Sequence, residues 1–187
     1  MSDDSAVDYG PLAALVGTWE GSEGLDVAPS VEGEGRDPYF ETLMFEAIGD
    51  VTNAGEQTLG VLRYHQVVSR TSDGEVFHNE TGYWSWDGAT KTLSHSLTIP
   101  RGMAVLAGGT WQGDIKDAKT VIEVEASLDH PNWTIVQSPF LAEKAKTTAF
   151  RHSITVEGDR LEYAETTVLE IYGKTFDHTD GNVLKRR

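Results

Sequence analysis

Residues 72–99, Ser-Asp-Gly-Glu-Val-Phe-His-Asn-Glu-Thr-Gly-Tyr-Trp-Ser-Trp-Asp-Gly-Ala-Thr-Lys-Thr-Leu-Ser-His-Ser-Leu-Thr-Ile, carry the pattern that decides the fold. Ser72-Asp-Gly74 and Asp87-Gly88 are turn signals, because glycine takes up the positive φ that a tight hairpin turn requires. Between them, Glu75–Trp86 reads as a strand: His78, Glu80, Gly82, Trp84 and Trp86 fall on one face, Phe77, Asn79, Thr81 and Tyr83 on the other. Lys91–Ile99 follows as the next strand. Successive strands joined by tight turns make an antiparallel meander.

The same pattern extends outward in both directions. Toward the N-terminus lie Gln57–Arg70, reached from a turn at Asn53-Ala-Gly55, then Tyr39–Ile48 and Val16–Ser22. Toward the C-terminus lie Met103–Trp111, Thr120–Leu128, Lys146–Glu157 and Arg160–Ile171, the last two joined by Gly158-Asp159. The Gly-, Pro- and acid-rich stretch Glu23–Pro38 predicts a long loop. His130-Pro131 and Ser138-Pro139 interrupt the pattern between Asp129 and Glu143. Gly173–Gly181 reads as turn-like, with a final strand over Asn182–Arg186. About ten strands and no helical period predict an all-β chain, an antiparallel up-and-down barrel or a sandwich. Closure into a barrel is preferred, because an open meander leaves two unpaired edges. Residues 1–10 are polar and expected to be disordered; residues 11–187 form one domain.

Pro11-Leu-Ala-Ala-Leu15 suits a short helical turn, since proline at its start lacks only an N–H that has no partner there. Gly17-Thr-Trp-Glu-Gly21 follows. Gly17 can leave the helix in a conformation other residues resist. Trp19 then either plugs one end of a barrel or seals the core of a sandwich.

With 30 acidic against 15 basic residues the formal net charge is −15, which argues against nucleic acid or an anionic membrane as partner. No run of ~18 apolar residues occurs, so no membrane span is expected. There is no cysteine, hence no disulfide, thiolate metal site or cysteine nucleophile. The acidic opening Met1-Ser-Asp-Asp-Ser is unlike a secretory signal, and a cytoplasmic location fits best.

A barrel of this size can enclose one small ligand, so polar groups on apolar strand faces are the candidates for chemistry. His78 and Glu80, two apart on one face, can serve as an acid–base pair, a metal pair or a hydrogen-bonded structural pair. His152 sits on the apolar face Thr148, Phe150, Ile154, Val156 and reads as a satisfied core histidine, as do His65 and His95. His130, beside Pro131, reads as an ordinary loop residue. Ile99-Pro-Arg-Gly102 must bend or bulge, because Pro100 cannot donate to a ladder. Arg101 at that bend can reach a cavity mouth to meet a carboxylate, or pair on the surface. His178 in Phe176-Asp-His-Thr-Asp180 is expected at a barrel rim, with Asp177 or Asp180 able to hold its second nitrogen. Gly-x-Ser-x-Gly, phosphate-loop, His-Glu-x-x-His and EF-hand patterns are absent.

Four segments in order resemble the nitrobindin family of haem-binding barrels with a fatty-acid-binding-protein-like, lipocalin-like shape. Leu15-Val-Gly-Thr-Trp-Glu-Gly21 is similar to its Gly-x-Trp-x-Gly-x-Gly, with Gly17, Trp19 and Gly21 at the motif positions and Glu23-Gly24 at the third glycine. His78-Asn-Glu-Thr-Gly-Tyr-Trp84 resembles a His-x-Glu-x-Gly-aromatic strand, and Leu93–Gly109 a strand–bend–strand unit. His178, followed by Leu184 and basic residues, matches the family's axial haem ligand. Tyr39-Phe-Glu-Thr42 stands where the family has Tyr-Pro-Thr beside the haem.

The resemblance implies haem b bound in the barrel, with His178 axial to ferric iron and Thr42, Glu41, Trp19 and Arg101 around the cofactor. It also implies binding of nitric oxide or isomerisation of peroxynitrite to nitrate. Two other readings stay open: a non-haem carrier of a fatty acid or other apolar molecule, and a filled barrel used for assembly.

Overall fold

The computed structural model describes residues 6–187. A 3-10 helix over Gly10–Leu15 precedes β1 (Gly17–Ser30), β2 (Gly33–Asn53), β3 (Gln57–Arg70), β4 (Val76–Asp87), β5 (Thr92–Ile99), β6 (Met103–Thr110) and β7 (Lys119–Ser127). Then come β8 (Ile135–Gln137), α1 (Pro139–Lys144), β9 (Ala145–Glu157), β10 (Arg160–Ile171) and β11 (Lys174–Arg186). Every neighbouring pair is antiparallel. β1 pairs with both β2 and β11, and β5 with β6, so ten of the strands close into a barrel, while short β8 lies along the first half of β6. β6 and β7 meet at one residue pair, Gly108 opposite Glu125. Among the described residues no helix is long and apolar enough to cross a membrane.

One end of the barrel is sealed. Leu12, Leu15 and Trp19 are fully buried there beside Leu62 and Trp86. Trp19 Nε1 donates to Leu15 O at 2.7 Å, which ties the ring back to the helix. The Arg186 guanidinium lies 4.0 Å over the indole and donates to Ala14 O and Val16 O. The last strand therefore latches the plug. Gly17 leaves the helix at φ +131, a conformation that L side chains rarely adopt.

Several expectations change. Of the N-terminal residues expected to be disordered, 1–5 lie outside the described residues. Asp8–Gly10 are packed: Trp86 Nε1 donates to Asp8 at 3.2 Å and Tyr9 Oη accepts from Gly49 N at 3.0 Å. Glu23–Pro38 is no loop. β1 and β2 run on as a hairpin paired from Gly24 opposite Tyr39 to Ser30 opposite Gly33, turning at Val31-Glu32. Main-chain pairing needs no apolar face, so composition hid it. Gly173–Gly181 likewise belongs to a strand: Tyr172 (φ 54) and Gly173 (φ 74) make the two-residue turn, and β11 starts at once. The break at Ser138-Pro139 is a helix start, with Ser138 Oγ accepting from Leu141 N at 3.3 Å.

Candidate functional site

Away from the plug the barrel is hollow. A cavity of about 440 Å³ opens between the β1–β2 hairpin, the bend at Arg101 and α1. Phe77, Leu97, Ile99, Met103, Leu141 and Leu169 give it apolar walls toward the mouth. Deeper, the lining turns polar: His78, Glu80, Gln66, Tyr39, Tyr163, Glu165, Asp180, Asp26 and His178.

Strand alternation puts these groups inside. On β4 the face predicted from sequence is the inward one, and it brings His78 and Glu80 to the cavity, Nε2 to Oε2 3.5 Å. Glu80 also accepts from Tyr64 Oη at 2.6 Å. Burial opposes a charge on the His78 ring, but the hydrogen bond and charge of Glu80, with Glu165 and Asp180, outweigh it and push its pKa up to about 9. His78 is a cation at neutral pH.

On β2 the same alternation separates two expected neighbours of the cofactor. Glu41 faces in and is 3 % exposed, whereas Thr42 is exposed on the outer wall and cannot reach the cavity. Glu41 sits beneath the floor, accepting from Gln66 Nε2 (2.6 Å), Asn182 Nδ2 (2.8 Å) and Tyr163 Oη (2.9 Å). Tyr39 Oη in turn lies 2.7 Å from Tyr163 Oη. Burial raises the Glu41 pKa against these donors. Trp19 belongs to the sealed end and does not line the cavity; Gly17 lies at that same end, and Gly21 stands opposite Glu41. Arg101 does line the mouth, donating to Phe77 O at 3.1 Å, and has no carboxylate partner among the described residues.

His178 is not a rim residue. It lies within β11 opposite Thr167 of β10, and its ring faces the cavity. Its partner is neither Asp177 nor Asp180 but Asp26 of β1, Oδ1 2.7 Å from Nε2. The other ring nitrogen has no protein hydrogen bond among the described residues. Asp26 stands opposite Asp180, and Asp180 opposite Glu165, so three carboxylates share one level of the wall. Burial, then the charge of Glu165 on Asp180 and of Glu80 on Glu165, raises the pKa of both groups well above the ordinary range. Ligand atoms of Asp26, His178 and Asp180 lie within 4.8 Å of one another.

Of the remaining histidines, His130 is the loop residue expected and His95 and His152 are buried as expected, whereas His65 is not a core residue. His65 is exposed, 3.0 Å from Asn79 Oδ1. His130 is a loop residue whose Nδ1 accepts from two backbone amides. His95 is fully buried and stacked on Trp84 (3.9 Å, 11°), yet neither ring nitrogen has a hydrogen-bond partner among the described residues. His152 is buried with Nδ1 3.0 Å from Glu165 Oε2, a contact within ion-pair distance that lacks hydrogen-bond geometry. A bulge in β9 turns Thr147, not Thr148, inward. Asp26, Glu165, Tyr163 and Gln66 escaped the sequence reading. Alternation along Arg160–Ile171 does put Tyr163 and Glu165 on the face of Leu161, which was the available signal.

The arrangement and the whole-chain pattern coincide with a known family: residues 8–186 match the THAP4-like, heme-binding beta-barrel domain. The chain belongs to this family. Its fold is similar to that in the crystal structure of Rv2717c from M. tuberculosis, with TM-score 0.71 and 25% identity over 97% of this chain and 99% of that one. No curated protein matches. The residues present fit the group that the THAP4-like heme-binding domain is named for. The cavity offers an imidazole with one nitrogen free, apolar walls for a porphyrin, and Arg101 at the mouth for a carboxylate. The acids deeper inside leave the mouth as the place for propionates.

Proposed function

We propose that the barrel holds haem b in this cavity, with His178 as the axial ligand of ferric iron, and that it binds nitric oxide or isomerises peroxynitrite to nitrate. The observation that carries this reading is the His178 imidazole inside an apolar-walled cavity with one nitrogen uncommitted. Without cysteine the cofactor has no thioether attachment and is held by these contacts alone.

When bound, ferric haem supplies a Lewis-acidic iron to a small ligand. The chain supplies the rest. His178 holds the iron in the cavity, the apolar walls exclude water, and Arg101 meets a propionate. Protonated His78, paired with Glu80, offers a cation among the acids, where an anion such as peroxynitrite finds a partner.

The test is a haem titration of the purified chain followed by the Soret band. Wild-type protein should show a saturable band that His178→Ala loses or moves. An identical spectrum in the variant would remove His178 as ligand, and no uptake by wild type would remove the haem reading itself.

A further inference from the structure

We infer that Asp26 is the positioning residue of the site: its carboxylate, bonded to His178, decides which ring nitrogen is presented to a metal and how strongly that nitrogen donates. The inference deepens the haem reading and rests on it for its metal-bound consequences.

Trp19 is buried facing the interior, so strict alternation would turn Leu25 inward and Asp26 outward. The pairing of β1 shifts between Gly21 and Gly24, and this bulge reverses the parity. Gly24, where an added Cβ would come within 2.1 Å of the Tyr39 ring, faces in instead. Leu25 is thrown outward at 39 % exposure, and Asp26 is buried at 8 %. The strand has exchanged an inward leucine for an inward aspartate, which packing alone disfavours.

Position adds a second cost. Asp26 stands directly opposite Asp180 across the β1–β11 pair, where like charges destabilise a sheet. Its one hydrogen-bonding partner among the described residues is His178, 2.7 Å away and two residues along β11 from Asp180. Local rules broken this way mark a site kept for a purpose.

The chemical consequence follows from the imidazole. With the hydrogen held on Nε2 by Asp26, the neutral ring carries its lone pair on Nδ1. Its rotation about the Cβ–Cγ bond is also fixed. A carboxylate on the far nitrogen makes an imidazole a stronger donor, as outer partners of metal-bound histidines do. Asp180 shares the field but makes no bond to the ring.

Two experiments test this on the full chain. In haem-free protein, at a pH high enough to leave the His178 ring neutral (its bond to Asp26 raises its pKa above the ordinary 6.5), ¹⁵N shifts of the ring should show a proton on Nε2 and none on Nδ1, and Asp26→Ala should abolish that preference while Asp180→Asn leaves it. A wild-type ring with mixed tautomers, or the same loss in both variants, would overturn the inference whatever haem does.

In haem-loaded protein, Asp26→Asn should weaken haem binding about 10–100-fold. It should also lower the iron–histidine stretching frequency in resonance Raman and raise the midpoint potential. A tenfold change in the ferric-to-ferrous affinity ratio reads as ~59 mV. Asp26→Glu should recover part of the effect, and circular dichroism checks that each variant is folded. Unchanged frequency and potential in Asp26→Asn would refute the positioning role while leaving haem binding intact; failure of wild type to take up haem would instead sink the haem reading.

Discussion

Replacing Glu80 with Gln should remove the proton that His78 holds at neutral pH. The glutamine keeps an acceptor for Tyr64 Oη but loses the charge that faces the ring at 3.5 Å. Without that charge, burial dominates and the ring falls from about 9 toward or below its ordinary 6.5. Raising a histidine from 6.5 to about 9 on folding is worth about 3 kcal/mol, at ~1.4 kcal/mol per pKa step. The side chain is 30% exposed, so screening leaves about 2 kcal/mol.

The sign is fixed by the direction of the change. Because the folded pKa is raised, this stabilisation is complete below pH 6.5 and is lost as pH climbs through about 9. Glu41 and Asp180, also raised, lose stability in the same direction in both proteins. Glu165, which the charge of Glu80 helps to raise, adds to the difference between wild type and Glu80→Gln in the same direction, so the ring titration is the readout that isolates His78. NMR titration of the ring Cε1–H should give a midpoint near 9 in wild-type protein and at or below 6.5 in the variant. The wild-type melting temperature should fall between pH 6 and 9 by roughly 4–8 °C more than that of the variant. Equal midpoints in the two proteins would refute the reasoning.

Two further outcomes are expected. Trp19→Ala empties the sealed end and removes the ring under Arg186, so urea unfolding should show a loss of about 3–5 kcal/mol; a loss below 1 kcal/mol would mean the plug is dispensable. His95 buries two unpartnered nitrogens, so His95→Phe, which keeps the stack on Trp84, or His95→Leu, which relieves any crowding, should gain about 1–2 kcal/mol. A lower melting temperature in both would show that the imidazole has a partner worth keeping.

The outer architecture was legible because most strands have one apolar face. Ser72-Asp-Gly74 and Asp87-Gly88 placed β4 and β5, and alternation put His78 and Glu80 on the correct side. Legibility failed where the interior is polar. On β11, Phe176-Asp-His-Thr-Asp180 looked like a turn because the groups facing the cavity are His178 and Asp180 rather than aliphatic residues. On the β1–β2 hairpin the paired residues are glycines and acids, and nothing in their composition separates a ladder from a loop. Thr42 entered the expected site only through the family resemblance, and the period of two along β2 sends it to the face opposite Glu41. Asp26 reaches His178 from 152 positions away in the chain, through a bulge whose parity change no local pattern announces.

The wall between β6 and β7 is joined at Gly108 opposite Glu125 and splinted by β8 above. A tube stitched by ladders everywhere else and by a single rung here has a seam, and thermal fluctuation will part it before any other line of the cylinder. The amide of Thr110, below that rung and on the side away from β5, should therefore trade hydrogen for deuterium ahead of the ladders on either side. A guest too wide for the mouth would find in this slit the one flank able to yield without unlacing the sheet.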